Sequence, residues 1–165
     1  MECTQATDKR LKMMRYAAQY DSPLGAIALY SDGTALTGLR IGTPLSFLEE
    51  GGVVASVFGE TRCWLDIYFS GRMPGFIPPI KLDGTDSQHR VWQALLEIPY
   101  GETTTYGKLA RHIGCRSAQA VGGAVGRNPI AIIVPCHRVI GFDGTLTGYA
   151  YGLDYKQYLL HLEKK

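Results

Sequence analysis

The sequence lacks the segments that carry a protein into or across a membrane. No run of about 18 apolar residues occurs in this chain of 165 residues, so no membrane span is expected. Residues 1–10 are polar and contain no apolar stretch of the kind found in secretory signals. The sequence therefore predicts a cytoplasmic protein that has no membrane partner.

Closely spaced cysteines are also absent. The four cysteines, Cys3, Cys63, Cys115 and Cys136, lie far apart and form no C-x-x-C pair. Without a secretory signal they are predicted to be reduced thiols. Cys3, Cys63 and a histidine could meet at a zinc ion only through the fold, and because no ligand spacing supports such a site, no metal is expected.

Disorder and fibrous repeats are excluded by the composition, which is 45% hydrophobic and 19% charged. The first half predicts a small antiparallel sheet, because turn-forming residues separate three closely spaced apolar runs. These strands are predicted at residues 16–20, 26–30 and 35–41. A helical rhythm of apolar residues follows at 57–69 and ends at Ser70 and Gly71.

Proline and glycine concentrate between residues 71 and 84, which predicts a stiff, extended linker. The chain is therefore expected to have three parts. They are a flexible tail at residues 1–13, an α/β domain at 14–80 and a second domain at 81–165.

The second half predicts mainly helices. One helix is capped by residues 85–87 and ends before Pro99, and two others form a helix-turn-helix with a short glycine-bearing turn. The two helices of the helix-turn-helix are predicted at residues 103–112 and 117–126. A further helix is predicted at 155–164. The wholly apolar run at 130–134 predicts a buried strand or extended segment.

Acidic residues are missing from Thr103 through Phe142, although five basic residues occur there. These are Lys108, Arg111, Arg116, Arg127 and Arg138. An acid-free window that contains a helix-turn-helix predicts a surface facing nucleic-acid phosphates. A solvated face that simply lacks acids is the alternative.

Cys136 stands where a reactive thiol is plausible, after a buried run and Pro135 and before His137. A thiol reacts as thiolate, so it needs a base or a cation nearby. Neighbouring residues of an extended chain point to opposite sides, so His137 would need a water or a tight turn to act on Cys136. A buried carboxylate could then orient the imidazole. The alternative is that Cys136 is only a small buried hydrophobe.

The motif Pro135-Cys136-His137-Arg138-Val139 resembles the active-site sequence of the O6-alkylguanine-DNA alkyltransferases, also called methylated-DNA–protein-cysteine methyltransferases. Other motifs stand in the same order and spacing as in that family. They are Val91-Trp92, Ile98 through Thr103, Thr105-Tyr106, Ala120 through Ala124, Asn128-Pro129, Gly148-Tyr149 and Lys156 through Glu163. The resemblance is strong over residues 80–164 and rests only on the strand pattern before them.

This resemblance implies that Cys136 takes an alkyl group from O6 of guanine in one displacement and keeps it as a thioether. O4 of thymine is a further candidate substrate. His137 would act as the base through a bridging water, Glu163 would orient it, and Asn128 would hold the active-site turn. The protein would be consumed stoichiometrically and would need no cofactor.

The resemblance also implies that the partner is double-stranded DNA containing O6-alkylguanine, and that the damaged base leaves the duplex stack. Tyr106 would promote this rotation, and the helix at 117–126 would lie in the minor groove. Gly122 and Gly123 would let the DNA backbone approach closely, unless they are packing glycines. The residues expected at the DNA or the base are Tyr106, Gln119, Gly122, Gly123, Arg127, Arg138, Val139, Tyr149, Ala150 and Tyr151.

The implied fold is α/β (α+β), with a small N-terminal antiparallel-sheet domain similar to ribonuclease H but without its chemistry. The C-terminal domain would be mostly helical and would carry the helix-turn-helix. The chain is expected to act as a monomer, and cooperative binding of neighbouring molecules on DNA is left open.

Two positions depart from the family pattern. Gln119 stands where the family carries an arginine that fills the space of the rotated base, so weaker base rotation or damage capture is expected. Arg116 could compensate. Tyr151 stands where relatives usually carry glycine. Its ring is expected either to narrow the pocket in favour of methyl groups or to swing out and stack on a benzyl-like adduct.

Three other functions fit parts of the sequence. A cysteine hydrolase or acyl transferase would use Cys136 and His137 but would turn over repeatedly. A non-catalytic sensor of DNA damage would lack the reactive cysteine, which Cys136 argues against. A transcription factor would read the major groove with its second helix, but Gly122 and Gly123 leave few side chains for that purpose.

Overall fold

The computed structural model describes residue 9 and residues 13–45 and 55–164. The chain forms two compact units, residues 1–83 and residues 84–165. Of the predicted tail, all residues but Lys9 and Met13 lie outside the described part. Among the described residues, no helix is both long and apolar enough to span a membrane.

Three antiparallel strands form the sheet of the first unit in the order β1-β2-β3. They are β1 (Tyr16–Ser22), β2 (Gly25–Ser31) and β3 (Leu36–Ile41). The pairing of β1 with β2 runs from Tyr16 opposite Ser31 to Ser22 opposite Gly25, which leaves a two-residue turn. Gly25 has a φ of 91°, a conformation that glycine adopts without strain. The predicted antiparallel sheet is confirmed.

The helix α1 (Ala55–Phe69) packs against β1 and β3. Its buried apolar side chains recur at helical spacing and include Phe58, Leu65 and Tyr68. The rings of Trp64 and Tyr68 stack with their centroids 5.2 Å apart. This helix covers one face of the sheet and ends where Ser70 and Gly71 predict its end.

The proline-rich segment after α1 is fastened to the sheet. The Leu36 N–H donates to the Pro79 carbonyl at 2.7 Å, and the Lys81 N–H donates to the Leu36 carbonyl at 2.9 Å. Ile80 thereby forms a parallel bridge with Leu36. The segment predicted as a linker therefore extends the edge of the sheet, and the first compact unit continues to Asp83.

Four helices form most of the second unit. They are α2 (Asp86–Leu96), α3 (Tyr106–His112), α4 (Ala118–Gly126) and α5 (Leu153–Glu163). Thr85 and Gln88 form a reciprocal capping box that begins α2. The helices α3 and α4 are joined by residues 113–117, as expected for a helix-turn-helix. Trp92 of α2 is buried, and its indole N–H donates to the Ala124 carbonyl of α4 at 2.9 Å.

One predicted helix starts later than its sequence suggests. The prediction began it at Thr103, but residues 104 and 105 form a short strand, β4 (Thr104–Thr105). This strand pairs in parallel with β5 (Val139–Ile140). Thr105 then caps α3, because its hydroxyl accepts from the Lys108 N–H at 3.2 Å. The pairing holds the chain after residue 138 beside the start of α3.

The apolar run at 130–134 is buried as predicted, but it is neither a strand nor extended. Successive turns form instead, with the Ile133 N–H donating to the Ala131 carbonyl at 2.8 Å and the Val134 N–H donating to the Ile130 carbonyl at 3.1 Å. Ile132 has a φ of 69°, a left-handed conformation that is unusual for a β-branched residue. The compact turns deliver the chain to Pro135.

Candidate active site

Cys136 begins a single tight turn that also contains His137 and Arg138. The turn is a 3-10 helix over Cys136–Arg138, closed where the Arg138 N–H donates to the Pro135 carbonyl at 3.1 Å. All three side chains are buried, and Cys136 is 7% exposed. The chain is therefore not extended here, and the tight turn that the sequence left open as one route between thiol and imidazole is present.

Asn128 closes the segment that leads to the thiol. Its side-chain amide donates to the Val134 carbonyl at 2.8 Å, and its side-chain oxygen accepts from the Ile130 N–H at 3.0 Å. A hydrogen bond from Asn128 also acts on the Cys136 sulfur. The side chain thus both holds the turns and contacts the thiol.

The thiol of Cys136 is protonated in the resting protein near neutral pH. Burial raises the pKa of Cys136, and the hydrogen bond from Asn128 and the positive charge of Lys156 offset this only in part. A base must accept the proton before the sulfur can attack a carbon atom.

His137 is a suitable base because its imidazole is buried and neutral. Burial lowers the pKa of His137, although the Glu163 carboxylate acts in the opposite direction. The ring atom Nε2 lies 2.7 Å from Oε1 of Glu163. Since a carboxylate only accepts hydrogen bonds, Nε2 carries the proton and Nδ1 is the nitrogen that can take up another.

Glu163 is ionised although its side chain is only 1% exposed. Burial alone would raise the pKa of this carboxyl, but hydrogen bonds from His137 and Arg138 outweigh the effect and lower it to about 2. The carboxylate therefore stabilises an imidazolium that forms during a reaction without itself taking the proton.

Lys156 of α5 is completely buried beside this group. Its ammonium donates to the backbone carbonyls of Val139 at 2.6 Å, Gly148 at 3.0 Å and Thr147 at 3.3 Å. Burial lowers the pKa of Lys156, whereas the neighbouring Cys136 acts in the opposite direction. All three donors of the ammonium have carbonyl partners, which ties β5 and the chain before Tyr149 to α5.

A cavity of about 140 Å³ opens beside the Cys136 sulfur. Aromatic and small residues of α3, α4 and the chain before α5 form its walls. Its lining residues are Tyr106, Gly122, Val125, Gly126, Asn128, Cys136, Gly148, Tyr149, Ala150 and Tyr151. A reacting group that enters this cavity therefore lies against Cys136.

Two tyrosines border the cavity near the thiol. The Tyr106 hydroxyl donates to the Thr147 carbonyl at 3.0 Å, and burial raises the pKa of Tyr106. Burial, together with the nearby Cys136, raises the pKa of Tyr149 well above its ordinary value. Both phenols are therefore neutral and can donate hydrogen bonds.

The sequence matches one protein family along both units. The 6-O-methylguanine DNA methyltransferase DNA-binding domain matches residues 86–165, and the ribonuclease-like domain of the same family matches residues 14–82. A methylated-DNA–protein-cysteine methyltransferase of Mycobacterium leprae is 47% identical, and the alignment covers 92% of this chain and 93% of that protein. This chain belongs to the 6-O-methylguanine DNA methyltransferase family.

Other members of the family are similar over nearly their whole length. A methylated-DNA–protein-cysteine methyltransferase of Methanosarcina acetivorans is 47% identical over 90% of this chain and 97% of its own. The crystal structure of Mycobacterium tuberculosis OGT in complex with DNA superimposes with a TM-score of 0.79 at 47% identity, covering 88% of this chain and 91% of that one. The α/β fold predicted from the resemblance is confirmed.

Within this family fold, the structure brings most of the predicted site residues together. Tyr106, Gly122, Tyr149, Ala150 and Tyr151 line the cavity that contains Cys136. Other predicted residues lie apart from it. Gln119, Gly123 and Arg127 are exposed on or just after α4, and Val139 is buried with its carbonyl bound to Lys156.

The placement of Arg138 corrects the sequence analysis, which assigned it to the DNA-facing surface. Arg138 is only 8% exposed. Its Nε and Nη2 atoms donate to Glu163 at 2.9 and 3.0 Å, and its Nη1 atom donates to the Ile98 carbonyl at 2.7 Å. The guanidinium points into the protein because it neutralises a buried carboxylate, so it does not form part of a phosphate-facing surface.

Two contributors to the site were missed from the sequence. Lys156 was noted only as part of a family motif, and Gly101 was not considered as a donor, although its N–H donates to Oε2 of Glu163 at 3.3 Å. A signal for Lys156 exists in the sequence. It lies three and seven residues before Leu159 and Glu163, on the same face of a helix, so a buried lysine could have been inferred.

Proposed function

We propose that this chain repairs alkylated DNA by direct reversal. It transfers a methyl or larger alkyl group from O6 of guanine in double-stranded DNA irreversibly to Cys136, as a methylated-DNA–protein-cysteine S-methyltransferase that acts once. The observation that carries the proposal is a buried cysteine that lines a small cavity, within the unit that matches the family's DNA-binding domain.

The reaction follows from the groups around the sulfur. His137 accepts the thiol proton at Nδ1, directly or through a water, and the sulfur attacks the alkyl carbon. The carbon–O6 bond breaks as the sulfur–carbon bond forms, and guanine keeps the electron pair and takes up a proton. Glu163 stabilises the imidazolium in the meantime. The product thioether has no leaving group, so the protein is consumed, and no cofactor is required.

The base must rotate out of the duplex to reach the cavity, because a thiol in this position is inaccessible to a stacked base. Tyr106 is suited to promote the rotation, since it stands at the beginning of α3 and its ring borders the cavity. Tyr149, Ala150 and the backbone at Cys136, which line the cavity, are proposed to hold the rotated base.

The glycines of α4 support an approach of DNA to this helix. A Cβ atom added at Gly122 would lie 3.7 Å from the Tyr106 ring, and one added at Gly123 would lie 3.5 Å from the Arg127 guanidinium. These are ordinary contacts, so packing inside the protein does not require glycine at either position. A close approach of the DNA backbone gives a reason for both.

Exposed basic residues on the same unit would contact phosphates. They are Lys108, Arg111, Arg116 and Arg127. Gln119, which is exposed on α4, takes the place of the arginine that fills the space of the rotated base in relatives. We propose that Gln119 fills this space without adding charge, and that damage capture is weaker as a result.

We further propose that the protein acts as a monomer in the cytoplasm. Its thiol must stay reduced to accept an alkyl group, and Cys63, Cys115 and Cys136 are all free thiols. Removal of alkyl groups from O4 of thymine and cooperative binding along DNA are compatible extensions of the same site.

Mass spectrometry of the intact protein tests the proposal. After incubation with a duplex that contains one O6-methylguanine, we expect a mass gain of one CH₂ unit that maps to Cys136. Cys136→Ser should gain nothing, whereas Cys115→Ser, which removes another free thiol of the same unit, should still gain the group. A duplex with unmodified guanine is the blank. Repair of many duplexes per protein molecule, or alkylation elsewhere, would refute the proposal.

A further inference from the structure

The carboxylate of Glu163 has a donor at each of its acceptor positions. Its Oε1 atom accepts from Nε2 of His137 at 2.7 Å and from Nη2 of Arg138 at 3.0 Å. Its Oε2 atom accepts from Nε of Arg138 at 2.9 Å and from the Gly101 N–H at 3.3 Å. A carboxylate offers about four lone-pair directions, and Arg138 fills two of them with one rigid fork.

Arg138 is held in this position from its other side as well. Its Nη1 atom donates to the Ile98 carbonyl at 2.7 Å, and its guanidinium lies 5.7 Å from the centroid of the Tyr100 ring. The side chain is buried, and its guanidinium group carries the positive charge that is general for arginine in proteins. It therefore places a fixed positive charge on the Glu163 carboxylate.

This charge matters for His137 because Glu163 alone would favour the imidazolium. A lone buried carboxylate 2.7 Å from the ring would draw a proton onto it. With Arg138 attached, the carboxylate is neutralised, and burial keeps the ring neutral. The pKa of His137 is lowered by burial first, and the charge of Arg138 acts in the same direction.

The other titratable groups near the ring do not replace this effect. Lys156 also disfavours the imidazolium, but its ammonium is bound to three carbonyls and not to Glu163. In the described part of the chain, the titratable groups around the ring and its carboxylate include Cys136, Arg138, Lys156, Glu163, Tyr100 and Tyr149. Of the two cations, only Arg138 bonds to Glu163.

We propose that Arg138 is a positioning residue for alkyl transfer. It keeps Glu163 as a carboxylate and balances the negative charge of that carboxylate, so that His137 remains an unprotonated base. This inference rests on the proposed function and deepens it. A neutral His137 accepts the Cys136 proton as the sulfur attacks, whereas an imidazolium already present in the resting protein cannot. Arg138 therefore sets how far the pH can fall before alkyl transfer slows.

Arg138→Met tests the inference through the pH dependence of the reaction. Single-turnover rates are measured at saturating concentrations of a duplex with one O6-methylguanine, over a pH series through neutrality. We expect the acidic limb of the rate profile to move upward by about 1 pH unit, which is about a tenfold loss of rate at a fixed acidic pH. Arg138→Lys keeps the charge, so it should keep the position of the limb while lowering the plateau.

Arg127→Met is the matched control, because Arg127 is an exposed arginine of the same unit. It should weaken duplex binding and reduce the salt dependence of Kd without moving the limb. If Arg138→Met behaves in this way instead, Arg138 contacts DNA and the proposal is overturned. In Arg138→Met, a lower plateau with an unmoved limb would show a purely structural role and would overturn the proposal too.

A measurement on the unmodified protein keeps the proposal testable if Arg138→Met does not fold. The ¹⁵N shifts of the His137 ring should report a neutral imidazole with its proton on Nε2 at neutral pH, and an imidazolium there would refute the inference. If the unmodified protein takes up no alkyl group, the proposed function fails, while the ring shifts of Arg138→Met compared with those of the unmodified protein still decide whether Arg138 tunes His137.

Discussion

The ring of Tyr151 forms a wall of the cavity beside Cys136. It lies edge-on to the Tyr149 ring, with the centroids 5.6 Å apart. The cavity measures about 140 Å³, whereas pockets for drug-sized ligands are about 300–1,000 Å³. This geometry favours the interpretation in which Tyr151 narrows the pocket, and it leads to a prediction about alkyl groups.

Tyr151→Gly should widen the range of alkyl groups that the protein accepts. We expect the ratio of benzyl to methyl transfer rates to rise by about tenfold, because the substitution removes a ring from the cavity wall. Rates on duplexes with O6-benzylguanine and O6-methylguanine give the ratio. Tyr151→Phe keeps the ring and should leave the ratio unchanged. A ratio that falls in Tyr151→Gly would mean that the ring stacks on the larger adduct.

At the scale of elements, α5 and the chain around its start are joined by one side chain. The ammonium of Lys156 reaches carbonyls of β5 and of residues 147 and 148. Those residues precede Tyr149, Ala150 and Tyr151, which line the cavity. Lys156 therefore supports a wall of the site from behind, although it does not line the cavity itself.

Replacement of Lys156 by methionine should destabilise this wall. Three carbonyls, of which that of Val139 is buried, lose a charged donor, so we expect the free energy of unfolding to fall by about 3 kcal/mol. Denaturant titration measures the loss, and hydrogen exchange should increase at residues 147–151. Lys164→Met, at an exposed position just after α5, should change stability by less than about 0.5 kcal/mol. Equal exchange in both variants would contradict the role given to Lys156.

The elements could be predicted from the sequence where local signals decide them. Thr85 and Ser117 accept hydrogen bonds from the first turns of α2 and α4, and caps of this kind predict helix starts well. The run at 130–134 could not be predicted, since an apolar run indicates burial but not conformation. Its turns depend on hydrogen bonds with the side chain of Asn128, which lies outside the run.

The candidate site could be located from one motif, but its electrostatics could not. Cys136, His137 and Glu163 were identified by resemblance, and the structure brings His137 and Glu163 into contact. The position of Arg138 was missed because charge counting gives the sign of a surface and not the depth of a side chain. The partner of Arg138 lies 25 residues away in sequence, on the last turn of α5.

At the scale of the whole molecule, buried ionisable groups of the second unit predict loss of stability in acid. The pKa of Glu163 is about 2 in the folded protein against an ordinary value of 4.5, so its contribution is present above pH 4.5 and is lost as pH falls towards 2. The pKa of His137 is lowered from 6.5, so the unfolded chain binds the extra proton first. Stability should therefore begin to fall below pH 6.5.

Each unit contains one tryptophan, so tryptophan fluorescence can follow this loss of stability in the second unit alone. In Trp64→Phe, Trp92 is the only tryptophan left. We expect the denaturation midpoint reported by Trp92 in this variant to fall on acidification. Glu163 should account for about 3 kcal/mol of the loss in the free energy of unfolding. Glu163→Gln in the same background should be less stable at neutral pH and should lack the steep loss below pH 4.5. A midpoint that is constant down to pH 3 would contradict the assignment of Glu163 as a buried anion.

The bonds made by Asn128 have a mechanical consequence for the reaction. They close residues 128–134 into a hydrogen-bonded loop, and Cys136 follows two residues after the end of this loop. When a duplex binds against α3 and α4, the sulfur keeps its position relative to Asn128 unless these hydrogen bonds break. The direction from which the sulfur attacks can then stay constant while α3 and α4 adjust their contacts with the DNA.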